Sequence, residues 1–163
     1  MLKSLTTIFT LLLFSSSGLL AQEIGASGNP IPRFVSLKAE KAYMRTGPGR
    51  QFPIEWTYKR SGLPLEVVGE NGPWRNVRDH EGSTGWMHLR LLSSARTAMI
   101  RGGAARLYAD PNPTERVTIL ADEGVIGDIL ECEANWCELE IAGEHGWIQR
   151  GRLWGVYPGE VID

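Results

Sequence analysis

The sequence repeats itself at a spacing of 61 to 63 residues, and this repeat limits what the chain can fold into more than any other feature. When the chain is shifted by that spacing, aromatic, glycine and aliphatic positions coincide: Met44 with Leu107, Trp74 with Trp136, Val77 with Leu139, Gly85-Trp86 with Gly146-Trp147, and Leu92 with Leu153. A period of this length is typical of one small unit that occurs twice. We therefore predict two modules, at residues 36–93 and 97–157, joined by a very short link.

Short alternating runs indicate that both modules are built from strands. Apolar and polar residues alternate between turn segments such as Asn71-Gly72-Pro73, which is typical of half-buried strands. The predicted strands are 65–70, 74–79 and 84–88 in the first module and 125–132, 136–142 and 145–149 in the second, with single 3₁₀ turns near 89–92 and 151–153. The predicted fold class is all-β, with two small barrels or sandwiches in tandem.

The first 21 residues have the composition of a cleavable signal peptide. Lys3 gives a positive start, an apolar run extends from Leu5 to Phe14, and small residues end at Ala21. An uncleaved membrane anchor is the alternative, but the run is shorter than the roughly 20 residues of a membrane span. We therefore expect an exported protein, periplasmic or secreted, with no stable membrane span after cleavage. Residues 22–35 are expected to form a flexible N-terminal lead and 158–163 a C-terminal tail.

Export changes how the two cysteines are interpreted. Cys132 and Cys137 flank a turn-prone segment, and an oxidising compartment favours a disulfide between them. Their spacing is not the C-x-x-C of a redox motif, and no further zinc ligands lie nearby in the sequence. We predict a structural disulfide that staples one hairpin; free buried thiols are the alternative.

The first module resembles the bacterial SH3 domain family. The resemblance is carried by AYMRTGPGRQFPIEW, starting at Ala42, and by LEVVGENGPWRNVRDHEGSTGWMHLRLL, starting at Leu65. These segments are similar to the family's first strand and turn and to its Trp-x-x-Val and Gly-Trp segments. The second module matches well from Gly124 to Leu153 and less well at its start. The resemblance implies two SH3-like barrels in tandem that act as non-catalytic modules and bind cell-wall peptides or proteins.

Strand alternation places two tryptophans away from the core. Cys137, Leu139 and Ile141 share the apolar face of their strand, so Trp136 lies on the opposite, polar face, and Trp74 is placed in the same way. The resemblance implies that the tryptophan opening this strand lines a peptide groove. Packing at the end of a barrel or between the modules is the alternative. Trp86 and Trp147, each directly after a glycine, are expected to pack as scaffold.

Six residues are the candidates for ligand binding: Trp74, Tyr43, Tyr58, Arg75, Arg78 and Trp136. We expect a groove around Trp74 and the two tyrosines, with the two arginines at its edge. The aromatic residues that read polyproline in eukaryotic SH3 domains are missing, because Ala42-Tyr43-Met44-Arg45 replaces their first run. Recognition of a different ligand is therefore expected.

Charge differs between the two modules. Residues 22–96 carry 11 basic and 7 acidic side chains, whereas 97–163 carry 5 basic and 12 acidic. Mutual attraction of the modules, or ordinary solvated surface, is one explanation. The other is that the first module attracts an anionic partner, such as the carboxylates of a cell-wall peptide. A nucleic-acid partner is not expected for an exported chain with a pI near 5.9.

The sequence lacks the motifs that would point to catalysis. It contains neither H-E-x-x-H nor G-x-S-x-G, and pairing with Cys132 would remove the Cys137 thiolate that His145 could activate. We expect no enzyme, no cofactor and no metal. The predicted function is a non-catalytic, exported binding or adaptor module for a cell-wall peptide or an envelope protein. A structural protein whose aromatic surfaces serve in packing between modules or subunits is the alternative.

Overall fold

The computed structural model describes residues 23–163, whose regular structure consists of β-strands and two 3₁₀ turns. The described part begins with a small hairpin of β1 (Glu23–Ile24) and β2 (Pro30–Ile31). The predicted signal peptide lies outside the described residues.

The first module forms a seven-stranded antiparallel sheet. Its strands are β3 (Arg33–Leu37), β4 (Ala42–Arg45), β5 (Ile54–Tyr58), β6 (Pro64–Asn71), β7 (Trp74–Arg78), β8 (Thr84–His88) and β9 (Leu92–Ser93). Their order across the sheet is β5-β4-β8-β7-β6-β3-β9. A 3₁₀ turn, Leu89–Leu91, joins β8 to β9.

The second module repeats this arrangement in a second seven-stranded antiparallel sheet. Its strands are β10 (Thr97–Ile100), β11 (Ala105–Tyr108), β12 (Val117–Ala121), β13 (Ile126–Glu133), β14 (Trp136–Ile141), β15 (Glu144–Gln149) and β16 (Leu153–Trp154). Their order is β12-β11-β15-β14-β13-β10-β16, and a 3₁₀ turn, Arg150–Arg152, joins β15 to β16.

The two sheets have equivalent topology, down to the position of a β-bulge. The ladder between β6 and β7 shifts register between Val67 and Gly69, and the ladder between β13 and β14 shifts between Ile129 and Glu131. The predicted all-β tandem is therefore confirmed. Each of the six predicted strands agrees with an observed strand to within one residue at either end.

The structure differs from the sequence prediction at the N-terminal lead. Residues 22–35 are predicted to be flexible, but 33–35 begin β3, which pairs with β6 inside the first sheet. The preceding hairpin is held to β6, because the N–H of Ser27 donates to Glu70 Oε2 at 2.8 Å and its hydroxyl donates to Oε1 at 2.7 Å. These partners lie far along the chain, so local composition does not reveal them.

Each module has its own hydrophobic core, but the two cores meet. The first is built around Met44, Leu65, Val77 and Met87, and the second around Leu107, Leu139 and Ile148. Met99, from β10 of the second module, belongs to the first core, and Ile126 and Trp154 also pack against it. The tandem therefore buries apolar surface between its modules as well as within them.

Three aromatic rings meet where the modules contact each other. Phe34 of the first module is 7% exposed, and its ring centroid lies 5.1 Å from that of Trp154 and 4.7 Å from that of Tyr157. Hydrogen bonds reinforce the contact, from Trp154 Nε1 to the carbonyl of Pro64 at 3.0 Å and from the Tyr157 hydroxyl to Glu66 Oε1 at 2.9 Å. We call this set of contacts the module junction.

The predicted disulfide joins Cys132 and Cys137, which face each other across the hairpin of β13 and β14. Both residues are buried in the second core. We expect the double substitution Cys132→Ala with Cys137→Ala to lower the free energy of unfolding by about 2 kcal/mol, because the short loop is no longer closed in the unfolded chain. Urea unfolding checks this, and adding reductant to the unmodified protein should give a similar loss. A double variant as stable as the parent chain would contradict a stabilising role.

Candidate functional site

The first module carries a groove of about 280 Å³ beside Trp74. Trp74 opens β7 directly after the Gly72-Pro73 turn, and its ring meets that of His88 edge-on with centroids 5.3 Å apart. Tyr43 and Arg45 alternate along β4 with the buried Ala42 and Met44, which turns the former pair away from the core. We call this the Trp74 groove, and its lining residues are Tyr43, Arg45, Arg50, Trp74, His88, Arg90 and Leu91.

The polar side chains of the groove are of two kinds. Arg45 has a structural role, since its Nη1 donates to the carbonyls of Arg50 at 3.1 Å and Phe52 at 2.7 Å and so fixes the loop between β4 and β5. Arg50 and Arg90, in contrast, are exposed, and within residues 23–163 neither guanidinium forms an ion pair with a carboxylate. The groove therefore combines aromatic walls with two cations that are available to a ligand.

Three of the five residues expected at this groove do not line it. Arg75 pairs with Glu70, with Arg75 Nε 3.3 Å from Glu70 Oε1, and Arg78 Nε donates to Glu66 Oε2 at 2.8 Å. Tyr58 donates to Asp79 Oδ2 at 2.7 Å. Tyr58, Arg75 and Arg78 are therefore not part of the Trp74 groove, because buried or nearly buried carboxylates hold their polar groups in contacts within the sheet. A role of these residues in ligand binding stays a prediction.

Tyr58 is further constrained by its surroundings. It packs against the first core at the end of β5. Burial, followed by the hydrogen bond to Asp79, raises the pKa of the Tyr58 phenol above its usual range. The hydroxyl is thus a committed hydrogen-bond donor to Asp79.

Trp136, the repeat partner of Trp74, has different neighbours. Its ring meets that of Tyr108 edge-on with centroids 6.0 Å apart, and Gln149 stands where the first module has His88. It lines a separate cavity of about 570 Å³. The two tryptophans therefore do not form equivalent sites.

Trp86 and Trp147 are half-buried, as Trp74 and Trp136 are. Trp86 lies opposite Asn76 and Trp147 opposite Glu138, so both share the outer sheet face with the tryptophans that open β7 and β14. Gly85 does allow close packing, because a Cβ there would lie 2.6 Å from Met44 Cγ. The close approach expected at the glycine is present, but the tryptophan after it lies outside the core.

The two available arginines of the groove, Arg50 and Arg90, are not among the residues predicted from the sequence. Arg50 lies beyond the Thr46-Gly47-Pro48-Gly49 turn and Arg90 within a 3₁₀ turn, where neither strand alternation nor helical period applies. Trp56, which is 50% exposed on the edge strand β5 and lies outside the groove, is also not predicted to be exposed. Its position in a short strand before a basic pair is the only signal that sequence offers.

The sequence profile described as "Bacterial SH3 domain" matches the chain twice, at residues 38–94 and at 102–155. The two matches together cover more than half of the chain. The protein belongs to the bacterial SH3 domain family. Its two sheets are thus two bacterial SH3 domains in tandem, which confirms the resemblance seen in the sequence. We refer to them as the first and second SH3 domains.

Several solved structures have a distant likeness to the tandem. NlpC2 from Trichomonas vaginalis is 12% identical, with 76% of this chain and 48% of that chain covered and a TM-score of 0.34. An NlpC/P60 family protein from Bacillus cereus is 13% identical, with coverages of 74% and 55% and a TM-score of 0.33. NlpC1 from Trichomonas vaginalis is also 13% identical, with coverages of 88% and 50% and a TM-score of 0.34. This chain spans about half the length of these solved chains.

No curated protein matches the chain. The assignment to the family therefore rests on the profile match.

Two kinds of feature are absent from residues 23–163. No helix there is long and apolar enough to cross a membrane. No group of three or more His, Cys, Asp or Glu side chains is arranged to hold a metal ion. That the SH3 domains act without catalysis stays a prediction.

Proposed function

We propose that the tandem is a non-catalytic binding module of the cell envelope, periplasmic or secreted, and that the first SH3 domain binds a cell-wall peptide in the Trp74 groove. The observation that carries this proposal is the presence of two unpaired cations, Arg50 and Arg90, beside the rings of Tyr43 and Trp74. A short peptide offers carboxylates to the guanidinium groups and apolar side chains to the rings.

The size and composition of the groove support a small part of a peptide as its ligand. A volume of about 280 Å³ holds a few side chains and is near the lower end of the range for small-molecule sites. Tyr43 is 38% exposed, and Lys41 Nζ lies 5.2 Å from the centroid of its ring, which places a further cation beside the groove. The groove contains no carboxylate of its own, which suits an anionic ligand.

Retention of the purified protein on protein-stripped cell-wall sacculi tests the proposal. We expect Trp74→Ala, and separately the pair Arg50→Gln with Arg90→Gln, to weaken binding at least about 10-fold, since each removes either the aromatic wall or the charge-assisted contacts. Binding of the parent protein should also weaken as salt is added.

Trp56→Ala is the matched control, because Trp56 is an exposed tryptophan of the same domain outside the groove. Equal retention of Trp74→Ala and the parent protein would sink the groove proposal. Retention only on sacculi that keep their attached proteins would point instead to an envelope protein as the partner.

The alternative function, a structural role in which aromatic surfaces are used for packing, is favoured by the module junction. Phe34, Trp154 and Tyr157 make that contact, whereas Trp74 and Trp136 pack against His88 and Tyr108 of their own domains. Packing between the domains therefore leaves the Trp74 groove open. A structural role competes with ligand binding only if a second subunit covers that groove. Sedimentation of the parent protein and Trp74→Ala distinguishes these cases, since only subunit packing predicts that the variant changes its mass in solution.

A further inference from the structure

The repeat provides an internal comparison for the segment after β15. The N–H of Arg150 donates to the carbonyl of Asn135 at 2.8 Å, and the N–H of Leu89 donates to the carbonyl of Pro73 at 2.9 Å, so the two 3₁₀ turns are placed alike. The first residues of the two turns, Leu89 and Arg150, have different side chains. Leu89 is 42% exposed, whereas Arg150 is only 7% exposed. The second SH3 domain therefore buries a cation at a position where the first exposes an aliphatic residue.

Only part of the Arg150 guanidinium is satisfied by the protein. Its Nη1 donates to the carbonyls of Tyr157 at 2.9 Å and Glu160 at 2.6 Å, in the C-terminal segment 156–163, which we call the C-terminal strap. Its Nε and Nη2 have no hydrogen-bond partner within the described residues. Buried donors without acceptors are unfavourable, and a charged group more so, so these two nitrogens are positioned to take an acceptor that the described residues do not supply, either a water molecule or a ligand atom.

Nearby acidic groups do not supply that acceptor. The carboxylate of Glu160, which lies in the strap, accepts from Arg96 Nη1 at 2.7 Å and from Arg96 Nη2 at 3.1 Å. Burial opposes ionisation of Glu160, but the hydrogen bonds from Arg96 and Tyr157 and the charges of Arg96 and Arg150 lower its pKa overall. Glu160 is therefore an anion committed to Arg96.

Arg150 lines the cavity of about 570 Å³ that also contains Trp136. Arg101, Asn135 and Gln149 add polar side chains to its wall, and Pro158 also lines it. None of the lining residues is acidic, although residues 97–163 carry 12 acidic and only 5 basic side chains. Arg101 is exposed and has no ion-pair partner within residues 23–163. The cavity is thus a cationic site within an acidic domain.

We propose that this cavity binds the terminal carboxylate of a peptide, with Nε and Nη2 of Arg150 as its two donors. These two nitrogens form the edge of a guanidinium that holds both oxygens of one carboxylate in a bidentate pair. Arg101 contacts the same carboxylate from the mouth of the cavity, and the last side chain of the peptide packs on the ring of Trp136. The volume accommodates a few residues, which exceeds what a small inorganic anion needs.

Access to Arg150 involves the C-terminal strap. Nε and Nη2 are covered by protein atoms, so the carboxylate displaces part of the covering segment. Pro158 and Gly159 are exposed, while the strap is anchored on either side of them by the carbonyl contacts of Arg150 and by pairing between Ile162 and Cys132. The proposed binding therefore requires a local shift of the turn at Pro158 and Gly159, while the two anchors of the strap stay in place.

Titration of the protein with small peptides, followed by NMR of the arginine side-chain N–H and tryptophan indole N–H groups, tests the proposal. N-acetyl-trialanine with a free carboxylate should shift the resonances of Arg150 Nε and Trp136, and its C-terminal amide should shift neither. An N-acetyl peptide amide with one internal glutamate distinguishes a side-chain carboxylate from a chain terminus. Equal shifts with this amide would overturn the assignment to a chain terminus, and equal shifts with the trialanine amide would overturn the carboxylate site itself.

Arg101→Gln is the informative variant, because an exposed side chain can be changed without disturbing the strap. We expect it to weaken binding of N-acetyl-trialanine by about 10-fold, as removal of a charge-assisted contact does. Arg116→Gln, an exposed arginine before β12, is the matched control and should bind as the parent protein does. Trp74→Ala should also leave this binding unchanged, so failure of the Trp74 groove and failure of this site are separate results. Unaltered binding by Arg101→Gln, or an unshifted Arg150 resonance with the free acid, would overturn the proposal.

Discussion

Replacing Phe34 with alanine should lower the free energy of unfolding by about 3–5 kcal/mol and uncouple the unfolding of the two SH3 domains. Phe34 is 7% exposed and contacts Trp154 and Tyr157, which both come from the second domain. Truncation leaves a cavity between the domains and removes an aromatic cluster that neither domain can complete alone. The effect is large because domains of about 60 residues bury too little surface to be very stable on their own.

Thermal unfolding followed by tryptophan fluorescence and by calorimetry checks this prediction. The parent protein should unfold in one cooperative transition, and Phe34→Ala should show two, the first at a lower temperature. Phe52→Ala is the matched control, since Phe52 is 36% exposed and lies away from the module junction. A single transition in Phe34→Ala, with a loss of stability no larger than in Phe52→Ala, would show that the junction does not couple the domains.

The module junction also marks where prediction from the sequence ends. Strand alternation is a local signal, so the strands of both domains and the tandem itself could be predicted from short windows and from the repeat. Phe34 lies in a segment whose glycines and prolines predict a flexible lead, and its partners in the junction are at positions 154 and 157. Residues that lie so far apart in the chain meet only in the packed fold, so their contact leaves no periodic pattern in the sequence.

The candidate site shows the same limit in its electrostatics. Alternation places Trp74 on the outer face of its strand, and in the structure Trp74 and Tyr43 line one groove. Alternation cannot show that Arg75 pairs with Glu70 and Arg78 with Glu66. In the sequence, charges that meet across neighbouring strands look the same as charges that face solvent. The available cations of the first domain are therefore those in loops and turns, where the sequence gives the weakest structural signal.

Glu70 should make the protein lose stability in acid below about pH 4.5. Burial alone raises the pKa of a carboxyl, but hydrogen bonds from Ser27 and Arg33 and the charge of Arg75 lower the pKa of Glu70 from 4.5 to about 2. A carboxyl whose pKa is lower in the folded state stabilises the fold fully above its unfolded pKa. That stabilisation is lost as the pH falls from about 4.5 towards about 2.

The shift of Glu70 corresponds to roughly 3 kcal/mol, and we expect about 2–3 kcal/mol because Ser27 and part of Arg33 face solvent, which screens the interaction. Urea unfolding of the parent protein and Glu70→Gln at several pH values measures it. The parent should be more stable by that amount near about pH 7, and the difference should shrink towards zero near about pH 2.

Glu40→Gln is the matched control, because Glu40 is exposed and forms no ion pair within residues 23–163. Glu160, whose pKa is also lowered, is present in every variant and contributes the same acid-dependent loss to each. A difference between the parent and Glu70→Gln that stays constant with pH would contradict the argument.

Because Glu70 accepts from Ser27 and pairs with Arg33, its protonation should loosen the hairpin of β1 and β2 before the sheets unfold, so amide exchange of residues 25–31 should accelerate first.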